Sequence, residues 1–157
     1  MLIRDFAPAD IDAVVLLNVR ATDPLDTAEN SRRYSPDLFD IPTVYQRDGA
    51  FLVGEIDAEI VAMGAIQRAH GDSFVLTRIR VAIPHQRRGL ARRLVEALED
   101  RARALGGTTI TLDTTDRQLP AQRLYESLGY VFTHNSRLEN RFGGFNLVHY
   151  RKDLDAI

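Results

Sequence analysis

The sequence contains no cysteine among its 157 residues. This absence excludes disulfide bonds, a thiol nucleophile and thiolate metal sites, and it fits a reducing cytosol. Long hydrophobic runs are missing too, since none approaches the roughly 20 residues that a membrane span needs. The N-terminal residues include the charged Arg4 and Asp5 and lack the apolar core of a signal peptide. We therefore expect a soluble, cytoplasmic protein with no membrane partner.

Several chemical motifs are also absent. The chain has no GxxxxGK[ST] phosphate loop, no GxGxxG dinucleotide fingerprint and no GxSxG nucleophile elbow. Its four histidines show no metal-ligand spacing, so no metal is expected. The formal net charge of −2 argues against general nucleic-acid binding, because the arginines are concentrated locally rather than spread over a face.

Acidic residues are missing from one particular stretch, between Ser73 and Val95. There an apolar strand runs through Pro84 into a turn containing Gly89, and then into a long amphipathic helix. The first-turn N–H groups of a helix lack intrahelical partners and carry the positive end of the helix dipole. The stretch therefore predicts a phosphate-binding site. Six arginines add positive charge to it: Arg78, Arg80, Arg87, Arg88, Arg92 and Arg93.

Hydrophobic periodicity predicts one α/β domain over residues 1–157, with its core over residues 2–152. Strands are predicted at Leu2–Phe6, Phe51–Ile56, Ile60–Gln67, Phe74–Val81, Thr108–Thr114, Tyr130–Arg137 and Phe145–Arg151. Helices are predicted from Pro8 onward, over Gly89–Leu105 and over Pro120–Leu128. The strand–helix–strand order around Gly89–Leu105 implies parallel pairing of the flanking strands.

Two stretches of this layout are less regular than the rest. Prolines break the pattern in Thr22–Asp48, where Ala28–Tyr34 is either a short helix or a loop. Leu138–Gly144 is interpreted as a loop.

On the long helix, Arg92–Glu96 and Glu99–Arg103 are predicted as i,i+4 ion pairs on the solvent side.

Two motifs carry a resemblance to a known family. The run from Val81 to Ala91, VAIPHQRRGLA, resembles the acetyl-CoA signature [RQ]-x-x-G-x-[GA] of the GCN5-related N-acetyltransferases (GNAT) and its preceding strand. The run from Gln118 to Tyr130, QLPAQRLYESLGY, resembles that family's second motif, N-x-x-A-x-x-L-Y-x-x-x-G-F. The resemblance covers nearly the whole chain. It implies the GNAT acyltransferase fold, a central mixed, mostly antiparallel sheet of about six or seven strands flanked by about four helices.

The resemblance also implies how acetyl-CoA would bind. The main chain of Val81 and Ile83 would pair with the pantetheine arm. Gly89 would allow the backbone to approach the pyrophosphate closely. Gln118 stands where the family usually has Asn and keeps an amide that can contact the cofactor. The main-chain N–H groups of the first motif would hold the pyrophosphate, and Arg88 or Arg92 would reach the outer phosphate. The cofactor-binding segment around this turn consists of Gln86, Arg87, Arg88, Gly89, Leu90, Ala91 and Arg92.

Tyr125 is the predicted catalytic residue. A phenol near the thioester sulfur can donate a proton as CoA leaves. Many family members carry a glutamate on the central strand, but Val75 aligns there. Deprotonation of the amine would then run through water or through another side chain. The candidates are Glu55, His70, Asp72 and His134.

We therefore expect an enzyme that transfers acetyl from acetyl-CoA to a primary amine by direct attack in a ternary complex. The acceptor could be a small molecule, an amino-acid derivative or a peptide, bound by Thr22–Asp48 and Leu138–Gly144. Two alternatives stay open: a non-catalytic acyl-CoA-binding or regulatory module, and a protein N-terminal or lysine acetyltransferase. A homodimer is left open as well.

Overall fold

The computed structural model describes residues 1–21, 35–140 and 143–155. Its strands are β1 (Leu2–Asp5), β2 (Gly49–Ile56), β3 (Glu59–His70), β4 (Ser73–Val81), β5 (Thr109–Thr115), β6 (Val131–Asn140) and β7 (Gly143–Asp153). Its α-helices are α1 (Ile11–Arg20), α2 (Ile41–Val44), α3 (Leu90–Ala104) and α4 (Leu119–Ser127). Single 3₁₀ turns lie at Pro8–Asp10, Pro36–Phe39 and Ile83–His85.

All seven strands form one sheet in the order β1-β2-β3-β4-β5-β7-β6. Every neighbouring pair is antiparallel except β4 and β5, which are parallel and joined through α3. The predicted mixed, mostly antiparallel sheet and the predicted parallel crossover are confirmed. Among the described residues, no helix is both long and apolar enough to cross a bilayer.

Helices cover both faces of the sheet. Alternate residues of each strand point to opposite faces, so Leu52 packs with α3 whereas its neighbours Phe51 and Val53 pack with α1. The core on the α3 side also takes in α4 and the central strands. On the α1 side, the ring of Phe51 packs against the rings of Phe6 and Tyr45, with centroid distances of 5.7 and 5.5 Å. The sheet is therefore sandwiched between two apolar layers.

The sheet opens where the parallel pair ends. β4 and β5 pair only from Ser73–Val75 to Thr109–Thr111 and then diverge. Beyond this point β4 contains a bulge, because its register against β3 shifts between Thr77 and Arg80. Arg78 occupies the bulge with a φ of +61°, in the left-handed region that a non-glycine residue seldom adopts. The bulge re-aims the end of β4 and leaves a gap between two central strands.

One of the two ion pairs predicted on α3 is wrong. Glu99 does not pair with Arg103: its side chain is 3% exposed and accepts hydrogen bonds from Tyr130 and Lys152, while Arg103 pairs with Asp100. The helix turns Glu99 toward β7 rather than toward solvent. The predicted pair of Arg92 with Glu96 is present at 3.9 Å.

The irregular segments are more ordered than expected. The loop predicted over Leu138–Gly144 is largely strand, because β6 continues to Asn140 and β7 begins at Gly143. Within Thr22–Asp48, one short helical segment covers Pro36–Phe39 and another follows directly as α2. The helix-or-loop prediction for Ala28–Tyr34 lies outside the described residues.

Candidate active site

The diverging ends of β4 and β5 enclose a cleft of about 830 Å³. The start of α3 closes one end of it, and α4 forms a side wall. Five arginines, one histidine and a single carboxylate are the acidic and basic side chains among its described lining residues. They are Arg78, Arg80, Arg87, Arg92, Arg117, His85 and Asp113. The cleft is thus suited to an anionic ligand.

One end of the cleft is a main-chain cradle formed by Gln86–Ala91. Arg87 and Gly89 both adopt left-handed backbone angles, with φ of +65° and +76°, and Arg88 lies between them. The first helical bond runs from the N–H of Arg93 to the carbonyl of Gly89 at 3.2 Å. In the described part of the chain, the preceding N–H groups from Arg87 onward therefore have no main-chain acceptor. Such a turn at a helix start forms a concave anion site.

Gly89 is the residue that keeps this cradle open. A Cβ built on Gly89 would point into space with no heavy atom within 4 Å among the described residues. The protein itself therefore does not require glycine for packing at this position. The left-handed angle and the free space together leave room for a ligand against the backbone.

Gln86 lines the cleft, and its side chain also donates hydrogen bonds to the main chain of the protein. Its side-chain Nε2 donates to the carbonyl of Val81 at 2.9 Å and to the carbonyl of Ala21 at 3.3 Å. It thereby joins the end of β4 to the end of α1. Ile83 follows in the 3₁₀ turn with its side chain 43% exposed.

The other predicted cofactor side chains differ in their placement. Arg92 lines the cleft and donates to the Ser127 hydroxyl at 2.5 Å. Arg88 is exposed and is not among the residues that line the cleft. Gln118 caps the start of α4, lines the cleft and accepts a hydrogen bond from the Thr114 hydroxyl through Oε1 at 2.6 Å. The backbone of Leu90 and Ala91 forms the first turn of α3.

Tyr125 lies in the cleft wall on α4 and is 7% exposed. Its ring packs edge-on against Tyr130, with centroids 5.8 Å apart. Burial raises the pKa of Tyr125 to about 12, and the charge of Arg80 only partly opposes this shift. The phenol is therefore protonated at neutral pH and can donate a hydrogen bond into the cleft.

The part of the cleft around the β4 bulge, which we name the bulge end, consists of Arg78, Arg80 and Tyr125. Arg78 donates through Nε and Nη2 to the two carboxylate oxygens of Asp37, at 3.0 and 2.6 Å. Tyr45 also donates to Asp37. Burial opposes ionisation of Asp37, but these hydrogen bonds outweigh it and hold its pKa below the usual range. The pair fixes the bulge to the layer around α1 and α2.

No carboxylate of the described residues pairs with Arg80, which the sequence placed only among the six arginines of the predicted phosphate site. Its recorded hydrogen bond is to the adjacent carbonyl of Ile79, from Nη1 at 3.0 Å. Its Nε is shielded from solvent and has no partner in the described part of the chain. Burial and the charge of Arg78 both lower the pKa of Arg80. The alternation of two arginines in an otherwise apolar strand was the available signal.

The four candidate bases are dispersed. Glu55 pairs with Arg4 at 2.6 Å, while His70 and Asp72 are exposed at the β3–β4 turn. His134 lies on β6, and its ring stacks on that of His149 with centroids 4.1 Å apart. Only His134 lines a cavity near the cleft. That cavity of about 400 Å³ shares two wall residues with the cleft, Val75 and Asp113.

Comparison with known proteins supports one family. The family model described as "Acetyltransferase (GNAT) family" matches residues 16–130. A relative named "Probable N-acetyltransferase camello", from Xenopus tropicalis, is 28% identical over 136 residues, which are 80% of this chain and 61% of that protein. The chain thus spans about three fifths of the length of the curated relatives it matches first.

Solved structures show the same fold. An acetyltransferase from Streptococcus agalactiae superposes with a TM-score of 0.82 at 23% identity, covering 98% of both chains. The protein yncA from Salmonella typhimurium, solved with its cofactor acetyl-CoA, superposes with a TM-score of 0.77 at 20% identity, covering 100% of this chain and 95% of that one.

Proposed function

The chain belongs to the GNAT acetyltransferase family, and from this premise we propose that it transfers the acetyl group of acetyl-CoA to a primary amine. The observation that carries the proposal is the cleft between β4 and β5, which ends in a main-chain anion cradle and has a protonated phenol in its wall. The first would bind the diphosphate of acetyl-CoA, and the second would donate a hydrogen bond to the leaving sulfur.

The residues of the cleft fit acetyl-CoA. The cradle amides from Arg87 to Ala91 would hold the diphosphate, and Gly89 leaves space for it. Arg92 would reach the outer phosphate, with exposed Arg88 as the alternative. The divergent end of β4, at Val81 and Ile83, would pair with the amide groups of the pantetheine arm.

Gln118 is better placed as a support than as the main cofactor contact. Its Oε1 already accepts a hydrogen bond from Thr114, which fixes the orientation of the amide and leaves its side-chain N–H groups and one acceptor position for a ligand. Gln86 would act in a similar way, by holding the end of β4 in position. Both are proposed as cofactor-binding residues in this supporting sense.

Acetyl-CoA supplies an activated acyl group as a thioester. The nitrogen of a neutral amine forms a bond to the acyl carbon, the C–S bond breaks with its electrons on sulfur, and the nitrogen loses one proton. Tyr125 would donate a hydrogen bond to that sulfur. With a pKa of about 12 its phenol is a weaker acid than a thiol near 8.5, so it keeps its proton and stabilises the departing thiolate by the hydrogen bond alone. The thiolate then takes up a proton from solvent, where the proton lost by the amine is released.

Transfer would be direct, in a ternary complex, because the chain has no cysteine to carry the acyl group. Asp113 is the one carboxylate among the described residues that line the cleft. The proton lost by the amine would pass to solvent directly or by way of Asp113. The aligned strand position holds Val75, which cannot accept it.

The acceptor would be a small molecule, an amino-acid derivative or a peptide. We further propose that residues 1–157 form one acetyltransferase domain that works in the cytoplasm. A homodimer is compatible with this proposal but is not required by it.

The deciding experiment measures release of free CoA thiol from acetyl-CoA in the presence of a panel of primary amines. We expect acceptor-dependent release that requires Tyr125. Tight acetyl-CoA binding by calorimetry without release for any amine would instead identify a non-catalytic acyl-CoA-binding module. Release only with protein or peptide amines would favour a protein acetyltransferase.

A further inference from the structure

Arg80 lines the cleft, and no described residue pairs its charge with a carboxylate. Its Nε is shielded from solvent and unpartnered among the described residues, and its recorded hydrogen bond is to the neutral carbonyl of Ile79. Arginine keeps its charge at neutral pH even when its pKa is lowered. Burying a guanidinium without a paired negative charge costs free energy, and a bound anion would remove that cost.

The neighbouring Arg78 does have a paired carboxylate. Two residues earlier on β4, its guanidinium makes a two-pronged contact to the Asp37 carboxylate. Arg80 lines the same cleft, but it bonds to the carbonyl of Ile79 and not to Asp113, the one carboxylate among the described lining residues. Nothing among the described residues supplies the partner of Arg80, and the cleft that it lines has room for a ligand that does.

The diphosphate of the co-substrate does not supply this partner under the proposed function. It is assigned to the cradle at the start of α3, which has its own amides and arginines. Arg80 instead shares the bulge end with Tyr125, close enough for its charge to act on that phenol. A second anionic group is thus expected beside the reacting atoms.

We propose that Arg80 anchors a carboxylate carried by one of the two reacting molecules. The planar fork of a guanidinium matches a carboxylate in two parallel hydrogen bonds, as Arg78 and Asp37 illustrate. The carboxylate belongs either to the acceptor, which is then an amino acid or a derivative with a free carboxyl group, or to a dicarboxylic acyl chain. This inference rests on the proposed transferase function and narrows its substrate class.

A carboxylate at this position also helps the amine to approach. A protonated amine entering the bulge end meets the uncompensated charge of Arg80, which repels it. A carboxylate on Arg80 cancels that charge. Because Arg78 is already neutralised by Asp37, Arg80 is the arginine of the bulge end that a substrate must satisfy.

The test uses paired substrates in two arms. In the acceptor arm, phenylalanine is compared with phenylalaninamide, and glycine with glycinamide, each with acetyl-CoA. In the acyl arm, succinyl-CoA is compared with acetyl-CoA on a carboxylate-free amine. Each ratio of kcat/KM is measured for wild type, Arg80→Gln, Arg80→Lys and the cleft control Arg117→Gln. Dividing the wild-type ratio by the variant ratio cancels the intrinsic reactivity of each amine.

In one arm, we expect Arg80→Gln to lower the preference for the carboxylate-bearing substrate roughly tenfold or more relative to wild type. This is the effect expected from the loss of one charge-assisted contact. Arg80→Lys should retain part of the preference, and Arg117→Gln all of it. The affinity for acetyl-CoA should stay within about threefold of wild type. The thermal midpoint of Arg80→Gln should be unchanged or raised, because an unpaired buried charge is removed.

Several outcomes would overturn the proposal. One is turnover with no preference for the carboxylate in either arm, and another is a preference that survives in Arg80→Gln. Loss of acetyl-CoA affinity in Arg80→Gln with selectivity unchanged would show that Arg80 holds the co-substrate. If no amine turns over, the transferase function fails on its own. In that case calorimetry tests the anchor without turnover. It compares the affinities of N-acetylphenylalanine and N-acetylphenylalaninamide for CoA-bound wild type and for CoA-bound Arg80→Lys, and equal affinities of wild type for the two compounds would contradict the anchor.

Discussion

The two ends of the cleft are built from different parts of the chain. The cradle is main chain: six consecutive residues, Gln86–Ala91, present amides through left-handed angles at Arg87 and Gly89. The bulge end is formed by side chains from two elements, Arg78 and Arg80 on β4 and Tyr125 on α4. Asp37 holds Arg78, and the ring of Tyr130 packs against Tyr125. A main-chain site tolerates most substitutions apart from its glycine, whereas a side-chain site fails residue by residue. Mutations can test whether this division holds.

The largest effect is expected at the bulge end. Tyr125→Phe removes the proposed hydrogen bond to the leaving sulfur, and such bonds to charged groups contribute about 1.5–3 kcal/mol, so kcat should fall roughly 10- to 100-fold with little change in the KM for acetyl-CoA. Since the pKa of Tyr125 is about 12, the ratio of wild-type to variant kcat should be constant across about pH 6–9.

The matched control for that variant is Tyr150→Phe. Tyr150 donates its hydroxyl to Glu126 and does not line the cleft. Its loss should leave kcat near the wild-type value. Equal rates for wild type and Tyr125→Phe would reduce Tyr125 to a packing residue beside Tyr130.

At the cradle, Gly89→Val should weaken acetyl-CoA binding by roughly tenfold or more. Valine is strained at a φ of +76° and would place its side chain where the diphosphate is expected. Gly71→Val provides the control, because Gly71 also has a positive φ (+56°) and open space around it but lies in the β3–β4 turn. Calorimetry on both variants separates the strain from the binding effect. Equal affinity of Gly89→Val and wild type would contradict the cradle.

The partner of Arg78 gives an intermediate effect, on stability. Asp37→Asn leaves a partly buried guanidinium without its carboxylate, and we expect a loss of about 1–3 kcal/mol in the free energy of unfolding at neutral pH. Asp48→Asn breaks the pair with Arg68, where the carboxylate is 61% exposed, and should cost less than about 1 kcal/mol. Urea unfolding of both variants measures the difference.

The same pair predicts a pH dependence with a defined sign. Because the folded-state pKa of Asp37 is lowered, its contribution is fully present above the unfolded-state pKa of about 3.9 and is lost as the pH falls through the folded value. The stability gap between wild type and Asp37→Asn should therefore narrow below about pH 4. A gap that widens on acidification would show that another group titrates with the pair.

The smallest effect is expected from the arginines around the cradle. Arg92→Ala should lower the affinity for CoA relative to dephospho-CoA by up to about fivefold, as expected for one exposed charge contact. Arg93 makes an exposed contact with the carbonyl of Met1 and serves as the control. If Arg88→Ala has the effect instead, the outer phosphate lies on the other side of the turn.

The contrast between the two ends also explains what the sequence could predict. The cradle could be recognised because its glycine and arginines are contiguous and precede a strongly amphipathic helix. The fold followed from the same local patterns, since each strand and long helix carries its own periodicity. The roles of the individual site residues stay predictions until the variants are measured.

The bulge end could not be predicted in the same way. The carboxylate that satisfies Arg78 is 41 residues away in sequence, so nothing in the strand distinguished Arg78 from Arg80. Glu99 presents the same difficulty. Its helical spacing to Arg103 favoured a surface pair, but a lysine 53 residues later draws it into the interior. Long-range pairing of charges is not visible in local spacing.

The buried carboxylate of Glu99 has a consequence for the order of assembly. Its partner Lys152 lies on β7, the strand that sits between β5 and β6 and is synthesised after both. A growing chain on the ribosome therefore holds α3 with an unmatched negative charge until residues 143–153 emerge. The half of the sheet beyond β5 can therefore close only after β7 has been synthesised.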